Sequence, residues 1–131
     1  MPTNPADCRA RWWAVLALLV AMPAPAQVLM TVDSEHLSNA SAPMLAIERA
    51  RDAALAAAGP GQRRAIELAA DGERSAVLEA IATATAEAAE RAGADIVLDR
   101  KVAERIGAAA QGDLTEAIEQ ILQQRFPGGA E

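Results

Sequence analysis

The chain has 131 residues, with 12 basic and 18 acidic side chains for a net charge of −6, and 52% of it is hydrophobic, half of that being 34 alanines. This length suits one small domain. A lone cysteine, Cys8, excludes an internal disulfide framework, and a lone histidine, His36, excludes a Cys/His zinc centre. An acidic chain whose aromatics are Trp12, Trp13 and Phe126 lacks the basic patch and stacking rings that nucleic acids require.

The first 26 residues read as an address. Arg9 and Arg11 precede an apolar run from Trp12 to Met22, and Pro23-Ala24-Pro25-Ala26 follows. A basic start, an apolar centre and small residues at Ala24 and Ala26 make a secretory signal peptide cut before Gln27. The run is about half of the roughly 20 apolar residues that span a bilayer, so no stable span is expected after cleavage. The competing reading is an uncut signal anchor carrying a helical stalk, which the intact mass of the exported protein decides. Cleavage removes Arg9, Arg11, Asp7 and Cys8, leaving 105 residues with 10 basic and 17 acidic side chains, a net of −7. Eleven arginines against one lysine, with abundant alanine, point to a GC-rich bacterial genome and hence to the periplasm. Asn39-Ala40-Ser41 matches a glycosylation sequon that such a cell would not use.

Six elements follow in order. Gln27 to Asp33 contains a strand with Val28, Met30 and Val32 on one face. From about Ala42 to Ala58 the pattern is helical, with Ser41 at the N-cap and Pro43 in the first turn. Gly59-Pro60-Gly61 stops it, and a second helix runs from about Gln62 to Ala92, weakened by Asp71-Gly72 and ended by Gly93. Ala94 to Asp99 reads as a second strand around Ile96, Val97 and Leu98, with a third expected near Lys101 to Ile106 and a loop from Gly107 to Gly112. Asp113 then caps a final helix with Glu116 as capping-box partner, and Leu114, Ile118, Ile121 and Leu122 form its apolar stripe before Pro127-Gly128-Gly129. The fold class is α+β. Only 24 large apolar residues remain after Gln27, and two long alanine-rich helices joined by a tight turn offer little to pack on. Assembly into an oligomer is the expected remedy.

This order resembles the Skp/OmpH family of periplasmic chaperones. The resemblance rests on Val28-Leu29-Met30-Thr31-Val32-Asp33 directly after the signal peptide, on Ala94-Asp95-Ile96-Val97-Leu98-Asp99-Arg100, and on Asp113-Leu114-Thr115 at the last helix. It implies one domain over 27–131, with a small β-rich oligomerisation body from 27–34 and 93–127 and a helical-hairpin, coiled-coil arm over about 35–92. The body would be a trimer built on Val28, Met30, Val32, Ile96, Val97, Leu98, Leu114, Ile118, Ile121 and Leu122. It further implies an ATP-independent holdase without cofactor, enclosing unfolded outer-membrane proteins between its arms. A helix of about 31 residues reaches about 45 Å, shorter than that family's usual arm, and the acidic balance differs from its basic members. The rival reading is a structural or adaptor protein of the envelope that binds one folded partner.

Along the arm, Leu45, Ile47, Leu55, Ile66, Leu68, Val77, Leu78 and Ile81 serve either as the seam between two helices or as a client-facing lining. The seam is the commoner use, and both need the same period. His36 beside Ser34 and Glu35 reads as a surface residue, Asp99 and Asp113 as strand-end and capping groups, and Asp95 as solvent-facing. Arg63-Arg64 read as a solvated arm tip, and Arg125 with Phe126 as the close of the last helix. No nucleophile–base pair, metal cluster or phosphate loop is visible, so no enzyme activity, metal or cofactor is expected.

Overall fold

The computed structural model describes residues 27–130; Ala24 and Ala26, the residues expected at a signal cleavage site, lie outside them. The elements are β1 (Leu29–Val32), α1 (Ser34–Ala40), α2 (Ala42–Ala57), α3 (Arg63–Ala92), β2 (Ile96–Asp99), α4 (Arg100–Ile106), β3 (Gly112–Asp113) and α5 (Thr115–Arg125), closed by a 3₁₀ turn at Pro127–Ala130. The architecture is α+β, with helices dominating a sheet of two four-residue strands and one two-residue strand.

The sheet is wholly parallel in the order β2-β1-β3. Parallel strands need crossover connections, which the α1–α3 segment supplies from β1 to β2 and α4 supplies from β2 past β1 to β3. The third strand expected at Lys101 to Ile106 is therefore α4, and the loop expected at Gly107 to Gly112 ends in the strand. Val102 and Ile106 stand four apart, a spacing that suits either element. The ends decide. The Asp99 carboxylate accepts the Lys101 N–H at 3.0 Å, and Gly107 (φ 67°) closes the helix in the left-handed conformation. At Gly112 an added Cβ would sit 2.9 Å from Met30 Cε, so the flexible end of that side chain would have to shift to admit one.

Strand alternation sends Met30, Val32 and Val97 to one face, where they join a core of Leu37, Ala84, Ala88, Leu114, Ile118, Ile121 and Leu122 from α1, α3 and α5. A second cluster, Met44, Ile47, Ala70 and Val77, seals α2 against α3, and Phe126 packs against both clusters. The hairpin thus forms, with α3 unbroken through Asp71-Gly72. A break at Ser41 separates α1 from α2.

Ser41 holds the N-cap position of α2, but its side chain makes no cap hydrogen bond. Its hydroxyl is buried without a partner. A buried hydroxyl in that state costs about 1 kcal/mol or more. Ser41→Ala should accordingly raise the denaturation midpoint, by about 1 kcal/mol in an unfolding titration. A loss of stability would mean that the hydroxyl is engaged.

Candidate functional site

Open sheets of parallel strands bind ligands beyond the carboxyl ends of their strands, and that end here is densely charged. Asp33, Asp99 and Asp113 each follow or end a strand, and each turns its carboxylate onto the next helix. Asp33 accepts the His36 N–H at 2.9 Å, Asp99 that of Lys101, and Asp113 that of Thr115 at 2.9 Å. Cross-links then tie the three ends together. Ser34 donates its N–H at 3.2 Å and its hydroxyl to Asp99, while Thr31 Oγ1 donates to Asp113 at 2.8 Å. Arg100 bridges Asp33 at 3.4 Å and Asp113 at 3.2 Å, and Lys101 pairs with Glu35.

The hydrogen bonds from the Ser34 hydroxyl and backbone hold the Asp99 carboxyl below its ordinary range. Burial pushes Asp113 upward, but donors from Thr115, Thr31 and Arg100 outweigh it and bring that carboxyl below its ordinary range too. Glu35 raises the Lys101 ammonium. His36 turns its ring to Glu119 on α5 at 2.9 Å, so the sequence neighbours Ser34 and His36 end on different partners. Asp95, exposed, accepts the Val28 N–H at 2.7 Å. The carboxylates at this end serve capping and strand-to-helix fastening, and both cations bridging them are engaged. Among the described residues there is no group of three or more His, Cys, Asp or Glu placed to hold a metal.

The surfaces left open are of another kind. With β1 central, the outer edges of β2 and β3 carry no further strand among the described residues. Parallel sheets are normally covered on both faces, yet the β2–α4 unit exposes Ile96 at 36%, Val102 at 41% and Ile106 at 64%. Of the residues expected to build the body, Val32, Leu114, Ile118, Ile121 and Leu122 lie inside the chain's own core. Met30 and Val97 pack against that core, Val28 and Leu98 are half-buried, and only Ile96 is open to solvent. Gln27, where the mature chain is expected to start, is exposed and its carbonyl accepts from Gln111 at 3.2 Å.

The eight residues expected on an arm divide. Ile47 and Val77 are buried in the seam, Leu55, Ile66 and Ile81 are half-buried, and Leu45, Leu68 and Leu78 face solvent. An apolar groove of about 490 Å³ runs between α2 and α3, lined by Pro43, Ala46, Ile47, Ala50, Ala76 and Val77 and walled at one end by Phe126 and Gly128. Arg63 and Arg64 stand exposed at the start of α3. Arg125 pairs with Glu87 at 3.2 Å, tying α5 to α3. Sequence reading missed Val102 and Ile106 as surface residues. Their four-residue spacing on a segment bounded by Asp99 and Gly107 is the signal that could have placed them on one helix face.

Compared with protein-family models, with curated proteins and with solved structures, the chain matches none. No described helix is long and apolar enough to cross a membrane.

Proposed function

We propose that the chain is an ATP-independent, non-catalytic holdase of the Skp/OmpH kind, working in the periplasm as a homo-oligomer, most simply a trimer. It holds unfolded outer-membrane proteins beside its helical arms. The observation that carries this reading is the open β2–α4 surface of a parallel sheet that also bears a helical hairpin. Ile96, Val102 and Ile106 lie beside an edge strand with unpaired backbone groups. Such an edge is an aggregation hazard unless something covers it. A second copy, joining its β3 edge to this β2 edge in a head-to-tail ring, covers both edges of every protomer. The three segments that resemble the family support the same reading. β1 and β2 form from the first two, and Asp113-Leu114-Thr115 opens α5 as the third.

Holding a client without ATP requires many weak contacts around it, which keep its strand edges from pairing with one another. Arms raised from a shared body supply such an enclosure. The rival reading, an envelope adaptor for one folded partner, is favoured by the arm's sparse apolar surface. Leu45, Leu68 and Leu78 are its exposed large apolar residues.

Light scattering of an unfolded porin-type barrel separates the two readings. A holdase suppresses aggregation at about one oligomer per client, and Val102→Asp with Ile106→Asp abolishes both the suppression and the assembly. An adaptor leaves the client aggregating at every ratio. If the double variant stays assembled, the ring is not built on this surface.

A further inference from the structure

The distal arm is joined by charge where the body is joined by apolar side chains. Beyond the layer of Ile47 and Val77, the facing positions of α2 and α3 carry Glu48 and Arg51 against Arg74 and Glu67. Arg51 engages Glu67 through two hydrogen bonds of 2.8 Å. Arg74 engages Glu48 through Nε at 2.7 Å and again through Nη2. Each arginine is also held on its own helix. Arg51 lies 3.4 Å from Glu48 and 3.3 Å from Asp52, and Arg74 lies 2.6 Å from Asp71. Both arginine side chains retain 27% exposure and the glutamates about 40%. Ala70, between Glu67 and Arg74, is buried in the cluster of Met44, Ile47 and Val77, while past the charged layer Leu55 and Ile66 are only half-buried.

Charge pairs of this exposure are screened by salt, since the Debye length falls from about 30 Å at 0.01 M to about 3 Å at 1 M. Apolar layers are not weakened in that way. The geometry points to a conformational device. We infer that the Glu48–Arg74 and Arg51–Glu67 layer is a salt-sensitive clasp that fixes the register of the hairpin and lets its distal half open while the body stays folded. Two features favour opening there. Segments with few buried apolar contacts open locally at low free energy, and Gly59-Pro60-Gly61 supplies the connection at the tip. The two pairings are also specific. Sliding α2 by one turn toward the start of α3 sets Arg51 near Arg63 and Arg64 and Glu48 near Asp71, so like charges oppose that register.

In an oligomeric holdase the clasp would set how far the arms part around a client. That consequence rests on the proposed function, whereas the clasp itself is tested without any client. Amide hydrogen exchange of the protein is measured in about 0.01 M and about 1 M sodium chloride. The amides of residues 52–70 should exchange about three- to tenfold faster at high salt, in line with the loss of two exposed-to-half-buried pairs. Those of Ile118 to Leu122 in α5 should not change. Arg51→Glu should produce the fast exchange already at low salt, and adding Glu67→Arg should restore protection by rebuilding the pair with its charges exchanged. Equal protection at both salt concentrations, or a double variant no better protected than the single one, overturns the clasp. Neither outcome depends on whether the protein suppresses aggregation.

Discussion

Replacing Leu122 with alanine is expected to destabilise the protein by about 3–4 kcal/mol. Leu122 and its neighbour Ile118, one turn earlier on α5, are both fully buried, and they meet the face of β1 that carries Met30 and Val32 together with α3. The α3 wall of this core is made of Ala84 and Ala88. Alanine has no side-chain reach with which to fill a void, so the cavity left by three missing heavy atoms stays open and its cost adds to the lost transfer free energy. Small domains hold about 5–15 kcal/mol in total, and a loss of that size takes a large part of it. A urea titration checks the expectation as a lower midpoint with an unchanged slope. Leu68→Ala, on the exposed side of α3, should change the midpoint by less than about 0.5 kcal/mol. Equal effects at the two positions would contradict the core described above.

Acid is expected to unfasten the carboxyl end of the sheet. Asp99 and Asp113 both have folded-state affinities for the proton below the ordinary aspartate value of 3.8. A depressed carboxyl contributes stability that is present above its unfolded value and lost as the pH falls through its folded one. The loss therefore begins near pH 3.8 and completes below it. Protonation there removes the acceptor from Ser34, the acceptor from Thr31 and the anion facing Arg100 in one step. Lys101 works in the opposite direction. Its ammonium is raised by Glu35, so its contribution is complete below the ordinary 10.5 and disappears as the pH climbs through the raised value. The measurement is stability against pH for the protein and for Asp113→Asn. The variant should be the less stable at pH 7, and the two curves should converge below pH 3.8. A constant gap between them down to pH 2 would contradict the assignment of Asp113.

The long elements were legible because their signals are redundant. Gly59-Pro60-Gly61 ends one helix and Gly93 the next, and the structure turns at both. The stripe of Leu114, Ile118, Ile121 and Leu122 is buried as its spacing foretells. What failed was short. Arg100 to Ile106 reads equally well as strand or helix over seven residues, and only the caps at Asp99 and Gly107 settle it. β3 is two residues, Gly and Asp, with none of the branched or aromatic side chains that announce a strand. Asp113 caps through the Thr115 N–H, while the N-cap position itself is taken by Leu114. The alanines of the core, Ala84 and Ala88, are invisible in a chain with 34 of them. At the surfaces, periodicity gave the arm stripe but not its division into seam and exposed face, because that division depends on where α3 lies against α2. The charged layer of the arm was equally hidden. Its partners lie 16 and 26 positions apart, and nothing local in the sequence pairs them.

The molar mass of the chain from Gln27 onward, by size-exclusion chromatography with light scattering, tests the central claim most directly. The expected mass is three times that of the chain, with the open β2–α4 surface closed by neighbouring copies. A folded, helical monomer at micromolar concentration would contradict it, and would leave a small partner-binding module with a bare sheet edge in place of an assembled holdase.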